Sequence, residues 1–270
     1  MSTAWYRSNV IPHRLRRWKV HPFLAVEVWD TTCIVTNFKA HLLINSANPS
    51  LSGVSQFPYF PKGGPEPIQP PAKDAHHIMG YVTQWGGMEV GQGMMFAANV
   101  VDGLVHQMCG NGLLQELQSL GGKCDEGNAV WTSSHGDLKQ HYPQGIVHTV
   151  PPFYDKTDDK TSSMLLRKCY WNSLNVVHRQ QRPGQGIVLG QEDLRVACPL
   201  LGAGCRGFPV DLAMQSAVEA LTTYPVPKDS KYSHGLSLAF AIPSGEIREA
   251  LSSLFDGEFS EGADIGEASS

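Results

Sequence analysis

The stretch LLINSANP at residues 42–49 decides the fold class of this 270-residue chain. Its first three residues are apolar in succession, and a polar turn that contains Asn45 and Asn48 follows them. An unbroken apolar run that ends at turn residues is typical of a strand buried on both faces. The stretch VAC at residues 196–198 repeats this pattern. We therefore expect a sheet that is covered by helices on both sides.

Further short runs, mostly rich in Val, Ile and Leu, lie along the chain with turn residues near their ends. Between several of them, apolar residues recur at helical spacing, as Val101, Val105 and Met108 do. This interleaving predicts an α/β fold, a three-layer α/β/α sandwich around a mixed central sheet. The predicted strands span residues 24–29, 33–37, 41–45, 129–133, 145–150, 195–200 and 236–242, and the predicted helical faces lie within 101–108, 113–117, 166–177 and 213–221.

The composition argues against two classes of partner. Hydrophobic residues make up 41% of the chain, but the apolar runs fall short of the ~20 residues that span a bilayer. We therefore expect no membrane partner. The 21 basic and 25 acidic residues give a formal net charge of −4, so the chain lacks the basic excess of proteins that track phosphates. Duplex nucleic acid is not expected as a partner.

Three parts are expected along the chain. Residues 1–22 form a basic lead-in, which is either solvated or, alternatively, an organelle transit peptide. Residues 23–255 form the domain, which is interrupted at 53–99 by a long insertion rich in proline and glycine. Residues 256–270 hold five acids and few large apolar residues, which predicts a disordered acidic tail.

The six cysteines form no C-x-x-C pair and no close cluster with histidine. Neither a metal site nor a disulfide framework is therefore indicated, and no cofactor is expected. We expect no secretory signal, because the first apolar run is short and contains Glu27. An intracellular location follows, either cytoplasmic or nuclear, with a mitochondrial location as the alternative.

The sequence GAGCRG at residues 202–207 lies between a predicted strand and a predicted helix. Glycines permit tight turns and close ligand approach, while backbone N–H groups at a helix N-terminus favour an anion such as phosphate. A dinucleotide-binding Rossmann fold is excluded because only 63 residues follow Gly207, too few for five further strands. The alternative is a glycine-rich corner that binds nothing.

Two other clusters carry polar side chains. Asn45 and Asn48 can donate and accept hydrogen bonds, which suits ribose hydroxyls; alternatively, they only form an Asx turn after the strand. Asp102 stands at the start of a predicted helix, with His106 one turn later on the same side. Taken alone, this acid complements the helix dipole, and the histidine is a surface or core residue.

Other reactive residue types lack partners in the local sequence. His148 is expected to be a turn, surface or strand residue rather than a ligand, and no metal motif surrounds it. The same interpretation holds for His76, His77, His135 and His141. Cys205 is expected to be a small packing residue, with an acidified nucleophile as the alternative.

Taken together, the clusters resemble the macro domain family. NSAN at 45–48 is similar to the family's N-A-A-N, VDGLVHQMCG at 101–110 to its V-D-G-x-I-H-x-A-A-G, and LGAGCRGFP at 201–209 to its diphosphate loop. The segments 127–134 and 146–154 match the strands that the family places between these motifs, in the same order. The acid and the histidine of the second motif look more like the MacroD-type hydrolases than the macro domains that only bind.

The resemblance implies an ADP-ribose ligand, with ADP-ribosylated proteins or small ADP-ribose esters as substrates. It implies that Asn48 orients the distal ribose, that Asp102 positions or deprotonates the attacking water, and that His106 supports Asp102. The alternatives are a non-catalytic ADP-ribose reader and a phosphatase acting on a phosphate at the distal ribose. The resemblance assigns ligand contacts to Ile34, Asn45, Ala47, Gly103, Gly202, Ala203, Gly204, Cys205, Arg206, Gly207 and Phe208, the last against the distal ribose.

This chain departs from the family at three places. Ile34 stands where the family has an adenine-binding acid, so adenine recognition must rest on backbone groups, rest on another acid such as Asp30, or be weaker. Residues 97–100, AANV, replace a run of glycines. Arg206 replaces a common aromatic beside the diphosphate, where a guanidinium could offer paired donors to phosphate oxygens.

Overall fold

The computed structural model describes residues 11–53, 100–154, 157–181, 187, 193–225 and 235–259, and the backbone of residues 87–90 and 93–96. The strands in these ranges are β1 (His13–His21), β2 (Leu24–Asp30), β3 (Leu42–Ser46), β4 (Gly87–Val90), β5 (Gly93–Phe96), β6 (Ala129–Thr132), β7 (Gly145–Thr149), β8 (Leu194–Cys198) and β9 (Leu236–Ile242). The helices are α1 (Val101–Cys109), α2 (Asn111–Ser119), α3 (Asp159–Gln180), α4 (Val210–Thr222) and α5 (Gly245–Glu258), with a 3₁₀ helix at Gly136–Gln140.

Seven of these strands form one sheet in the order β1-β2-β9-β8-β3-β7-β6. Within this order, the adjacent strands of the segment β2-β9-β8-β3-β7 pair in parallel, whereas β1 and β6 at the two edges are antiparallel to their neighbours. The predicted mixed central sheet is therefore confirmed. Because parallel strands end at the same edge, the loops after β2, β3, β8 and β9 gather there. Strands β4 and β5 pair with each other in a separate two-stranded sheet.

Helices cover both faces of the sheet, as the three-layer prediction requires. Helices α3, α4 and α5 bury their apolar residues in one core, while α1, α2 and the 3₁₀ helix contribute to a second core on the other face. Leu42 belongs to the first core and Leu43 to the second, because successive strand residues point to opposite faces. This is why the run at 42–44 is apolar without interruption.

The prediction of a strand at residues 33–37 is wrong, because these residues form a turn. The backbone N–H of Asn37 donates to the carbonyl of Cys33 at 3.0 Å, and the Asn37 side chain accepts a hydrogen bond from the Thr31 hydroxyl at 3.0 Å. Ile34 and Val35 pack in the second core instead of in the sheet. The apolar character of the segment reflects this cover over the sheet.

The basic segment at the start of the described chain is part of the sheet from residue 13 onward, rather than a solvated lead-in. Trp18 of β1 is buried against Phe255, with ring centroids 5.1 Å apart, and its indole N–H donates to Asp256 at 3.0 Å. On the opposite face, the carboxylate of Glu27 lies 3.3 Å from Arg14. The buried Trp18, its hydrogen bond to Asp256 and the Arg14–Glu27 ion pair hold an otherwise charged strand in place.

Helix α5 extends to Glu258, so the first residues of the expected acidic tail are helical. Asp256 pairs with Arg16 and accepts the Trp18 hydrogen bond, and Phe259 packs against the first core. The rest of the expected tail, residues 260–270, lies outside the described residues, as do residues 1–10 and most of the insertion at 53–99. Among the helices that the structure describes, none combines the length and apolar character needed to cross a bilayer.

Candidate functional site

Two distant segments meet at the end of strand β3. The side-chain amide of Asn45 donates to Asp102 Oδ1 at 2.7 Å, and the same nitrogen lies 3.1 Å from His148 Nδ1. Asn45 and His148 sit opposite each other in the parallel pairing of β3 with β7. Asp102 lies in the first turn of α1, and only 2% of its surface is exposed. Three side chains that are far apart in sequence thus form one buried polar cluster.

Burial controls the charge of Asp102. Loss of solvent raises the pKa of its carboxyl, and His106, the Asn45 hydrogen bond and Arg206 lower that pKa only in part. Among the described residues, Asp102 Oδ1 accepts the amide of Asn45, whereas the buried Oδ2 has no hydrogen-bond partner. Buried oxygens are rarely left unpaired in folded proteins. Within the described chain, this buried oxygen therefore has an unused capacity to accept a hydrogen bond.

His106 lies one helical turn after Asp102, as the sequence predicts. Its Nε2 is 3.6 Å from Asp102 Oδ1, and burial lowers the pKa of its imidazole despite the nearby carboxylate. The ring is therefore mainly neutral at neutral pH. Gly53 lies directly against it: a Cβ at that position would stand 2.8 Å from His106 Cγ. The start of the insertion is thus packed onto His106.

His148 is the residue whose role the sequence analysis missed. It is a fully buried strand residue, as expected, but it contacts Asn45 on one side and Thr132 on the other. Burial, with a smaller contribution from His106, lowers the pKa of its imidazole to about 3, so the ring is neutral. A signal existed in the sequence: His148 and Asn45 occupy late positions in two apolar runs, which come side by side once the strands pair in parallel.

Asn48 closes the loop that follows β3. Its side-chain amide donates to the carbonyl of Gly53 at 2.8 Å, and its Oδ1 accepts hydrogen bonds from the Ser50 hydroxyl at 3.0 Å and the Ser52 N–H at 3.2 Å. This matches the alternative in which the asparagine stabilises a turn. The structure therefore separates the two asparagines of the motif: Asn45 contacts Asp102, and Asn48 shapes the adjacent loop.

The glycine-rich loop after β8 has the backbone of a tight cradle. Gly202 and Gly207 have φ angles of +86° and +74°, a conformation that favours glycine. The loop closes through hydrogen bonds from Gly207 N–H to Gly204 O at 2.9 Å and from Phe208 N–H to Gly202 O at 3.2 Å. Gly204 is exposed, and a Cβ there would meet no atom of the described residues within 4 Å. The outer surface of this loop is therefore open to a ligand.

Arg206 differs from its expected place at the ligand. Its guanidinium is buried under the loop, where NH2 donates to the carbonyl of Ala47 at 2.6 Å and the group lies 4.4 Å from the centroid of the Phe153 ring. Its NH1 has no hydrogen-bond partner among the described residues. Arg206 therefore ties the glycine-rich loop to the loop after β3 instead of presenting paired donors outward.

Other predicted ligand residues also turn inward. Burial raises the pKa of the Cys205 thiol to about 12, which supports the packing interpretation over a nucleophile. Phe208 is buried, and its ring centroid lies 5.1 Å from that of Tyr154. Ala47 and Gly103 are buried as well. Ala203 and Gly207 are half-buried.

Ile34 and Asp30, the two positions considered for adenine recognition, both have partners within the protein. Ile34 is buried in the second core, and its carbonyl accepts a hydrogen bond from the Tyr142 hydroxyl. Asp30 is paired with Arg248, whose NH1 lies 2.8 Å from the carboxylate. Within the described ranges, no group of three His, Cys, Asp or Glu side chains is arranged to bind a metal ion.

Comparison with known proteins agrees with this architecture. The family model described as the macro domain matches residues 91–217. A macro domain-containing protein of Listeria monocytogenes is 35% identical over 121 residues, which cover 44% of this chain and 60% of that protein. An O-acetyl-ADP-ribose deacetylase of Cronobacter turicensis is 32% identical over 135 residues, which cover 47% of this chain and 68% of the relative. The chain thus spans less than two thirds of the Listeria protein.

Solved structures show the same fold. The Oceanobacillus iheyensis macrodomain with ADP superimposes with a TM-score of 0.58 at 18% identity, over 92% of this chain and 98% of that one. The macro domain of ganglioside induced differentiation associated protein 2 gives a TM-score of 0.53 at 17% identity, over 85% of this chain and 83% of that one. At such identities the likeness concerns the fold alone.

Proposed function

Because the chain belongs to the macro domain family, we propose that it binds ADP-ribose at the carboxyl edge of the sheet and hydrolyses a bond at the distal ribose. The substrates are ADP-ribosylated proteins or small ADP-ribose esters. The names of relatives such as the Cronobacter turicensis O-acetyl-ADP-ribose deacetylase support the general class of reaction. The bond that is cleaved and the linked group are part of the proposal.

The observation that carries the proposal is the buried carboxyl of Asp102. One oxygen is fixed by Asn45, and the other has no partner within the described chain. A protein that only binds the ligand has no use for such a group, because a buried polar atom without a partner costs ~1–3 kcal/mol. A hydrolase needs a carboxylate there to orient water and to stabilise positive charge on the sugar.

The glycine-rich loop is the proposed diphosphate site. Its backbone N–H groups and the N-terminus of α4, which begins at Val210, supply partial positive charge without a metal ion. The open space around Gly204 lets phosphate oxygens approach the backbone. In this arrangement Arg206 holds the cradle in shape from beneath through the Ala47 carbonyl.

Asp102 acts on the attacking water in the proposed reaction. For ADP-ribose linked through its anomeric carbon to an Asp or Glu side chain, the water oxygen bonds to that carbon while the bond to the leaving carboxylate breaks, and its electron pair departs with the carboxylate. The proton of the water passes to Asp102, and because burial raises the pKa of this carboxyl, its carboxylate is a stronger base than an exposed Asp. For an ester, the same carboxylate directs water to the acyl carbon. His106 supports Asp102, from whose Oδ1 its Nε2 lies 3.6 Å away.

Asn48 has two roles in this proposal. Its side chain holds the loop of residues 48–53, which packs against His106 through Gly53. The resemblance to the family further implies that Asn48 orients the distal ribose. The hydrogen bonds that Asn48 makes within the loop support a site wall that is formed before the ligand arrives, which reduces the ordering entropy that binding requires.

A panel of defined substrates tests the proposal. The protein is incubated with peptides that carry ADP-ribose on Asp, Glu, Ser or Arg, and with O-acetyl-ADP-ribose, and free ADP-ribose is followed over time. We expect release from at least one substrate. Calorimetric binding of ADP-ribose without cleavage of any substrate would support the non-catalytic reader instead. Release of phosphate only, from ADP-ribose phosphorylated on the distal ribose, would support the phosphatase.

A further inference from the structure

A chain of hydrogen-bonding groups runs from Asp102 through the sheet to Thr132. Asp102 Oδ1 accepts from Asn45 at 2.7 Å, Asn45 Nδ2 lies 3.1 Å from His148 Nδ1, and His148 Nε2 lies 2.9 Å from the Thr132 hydroxyl. Asn45, His148 and Thr132 are fully buried, and they come from three adjacent strands, β3, β7 and β6. The chemistry of these groups fixes the direction of each hydrogen bond.

The carboxylate determines how the amide of Asn45 is oriented. If the amide were turned around, its Oδ1 would face Asp102 Oδ1, and two partially negative oxygens would meet at hydrogen-bonding distance in a buried site. While Asp102 is ionised, the NH2 group must therefore face it. Because that nitrogen also lies next to His148 Nδ1, its second hydrogen points to the imidazole, and Nδ1 must be the acceptor.

The tautomer of His148 follows from this geometry. A neutral imidazole with an acceptor at Nδ1 carries its proton on Nε2. That N–H then donates to the Thr132 hydroxyl, which lies 2.9 Å away. Thr132 stabilises this tautomer, since a buried Nε2–H without an acceptor would cost free energy. A hydroxyl can accept or donate, so Thr132 supplies the acceptor for this N–H, while the Asn45 amide sets the direction of the hydrogen bonds.

We propose that His148 is a positioning residue: held by Thr132 as the Nε2–H tautomer, it fixes the amide of Asn45 and thereby the orientation of the Asp102 carboxyl. This inference deepens the proposed hydrolysis, on which its catalytic consequence rests, but its structural part is independent of any reaction. Neither His148 nor Thr132 touches the ligand in this arrangement. Their effect is transmitted through Asn45.

The hydrogen-bonded chain of Asp102, Asn45, His148 and Thr132, which we call the relay, leaves one oxygen of Asp102 for the reaction. Asn45 holds Oδ1, and Oδ2 has no hydrogen-bond partner among the described residues. The charged or titratable groups that face Asp102 are His106 on the same helix and Arg206 on the glycine-rich loop. His106 also faces His148. Without the Asn45 donor, these groups would remain, so loss of the relay should raise the pKa of Asp102 without removing its other neighbours.

Substitutions at Thr132 test the relay away from the ligand. Thr132→Val keeps the size of the side chain and removes the hydroxyl, while Thr132→Ser keeps the hydroxyl and serves as the matched control. In the Val variant the Nε2–H loses its acceptor, so the Nδ1–H tautomer should gain population, the Asn45 amide should be held less firmly, and the pKa of Asp102 should rise. We expect Thr132→Ser to leave all three unchanged. His148→Asn, which retains an acceptor near the Nδ1 position, should preserve the orientation of Asn45.

Two spectroscopic measurements follow these changes directly. The ¹⁵N shifts of the His148 ring report its tautomer, and a titration of the ¹³C-labelled Asp carboxyls, assigned with an Asp102→Asn variant, reports the Asp102 pKa. On a cleaved substrate, Thr132→Val should lower kcat about fivefold, the factor that corresponds to the ~1 kcal/mol of one hydrogen bond, with KM and ADP-ribose affinity nearly unchanged. The acidic limb of the pH–rate profile should move to higher pH.

The relay and the hydrolysis can fail separately. An Nδ1–H tautomer in the unmodified protein, or an Asp102 titration that is the same in Thr132→Val and Thr132→Ser, would overturn the relay whatever the activity. If no substrate is cleaved but the tautomer and the titration behave as described, the relay stands and the proposed hydrolysis falls. A Val variant that does not fold is replaced by His148→Asn and His148→Gln, of which only the first should preserve the Asp102 titration.

Discussion

The cluster around Asp102 and the loop of residues 202–208 lie at the same edge of the sheet but are built in opposite ways. The cluster consists of buried side chains, some with polar atoms that lack partners in the described chain. The loop consists of backbone in conformations that glycine adopts, with its outer surface open at Gly204. The first arrangement costs stability and suits chemistry, whereas the second costs little and suits binding. Substitutions in the two regions should therefore have different consequences.

The largest expected effect is on binding, at the loop. Gly204→Glu places a carboxylate where a diphosphate would approach, while the empty space around Gly204 leaves the fold intact. We expect no ADP-ribose binding by calorimetry and an unchanged melting temperature. Gly204→Ala, which fills part of the same space without charge, is the control and should retain most of the affinity. Equal affinity of the Glu variant and the unmodified protein would exclude the loop as the anion site.

Arg206 connects the two regions, so its removal should affect both. Arg206→Met keeps much of the side-chain length but leaves the Ala47 carbonyl without its 2.6 Å donor. A buried acceptor left unpaired costs ~1–3 kcal/mol, which lowers the melting temperature by about 2–12 °C in a domain of this size. ADP-ribose affinity should fall as well, because the cradle loses its support. An unchanged melting temperature would show that the two loops are held independently.

A smaller effect is expected on stability, at the cluster. Burial raises the pKa of Asp102, so the folded chain holds this proton more tightly than the unfolded chain, in which an Asp has a pKa of ~3.9. The favourable contribution is complete at low pH and is lost as the pH rises through the folded-state pKa. In an Asp102→Asn variant, loss of the carboxylate lowers the pKa of His106 further. Protonating His106 then costs more, so the variant is relatively less stable at low pH, which adds to the effect of Asp102.

Asp102→Asn should therefore be more stable than the unmodified protein at pH 7–8, by about 2–4 °C, the shift that ~1 kcal/mol produces in a domain of this size. The difference should shrink as the pH falls towards 4. Melting curves recorded across this range check the sign. A variant that is less stable at pH 8 than at pH 4, relative to the unmodified protein, would mean that Asp102 is stabilised as a carboxylate and is not poised by burial.

The sequence predicted what depends on local pattern. Six of the seven predicted strands are present, and the sequence signal for them was a short apolar run. The glycines of the loop were also predicted, because its backbone adopts positive φ angles. The pattern failed at 33–37, where Asn37 closes a turn and the apolar residues cover the sheet. It also missed β1, in which basic residues alternate around one buried tryptophan, Trp18. Apolar periodicity does not distinguish these cases.

The site was predicted less completely than the fold, because side-chain contacts depend on pairing between distant strands. The helix start and the one-turn spacing of Asp102 and His106 were read from the sequence, but their functional roles came from the resemblance to the family. The contact of Asn45 with His148 depends on the register of β3 against β7, which no local pattern specifies. The inward turn of Arg206 likewise depends on a carbonyl 159 residues away in sequence. The sequence therefore predicted several residues of the site, whereas the contacts between them follow from how the chain packs.

The most direct test compares the unmodified protein with Asp102→Ala on a substrate that the unmodified protein cleaves. If Asp102 orients or deprotonates the attacking water, single-turnover release of ADP-ribose should fall by ~10²-fold or more, the usual scale for a positioned acid or base. Calorimetric affinity for ADP-ribose should be retained, because a carboxylate near an anionic ligand is repulsive and its loss does not weaken binding. Full hydrolytic activity in Asp102→Ala, with intact binding, would contradict the account.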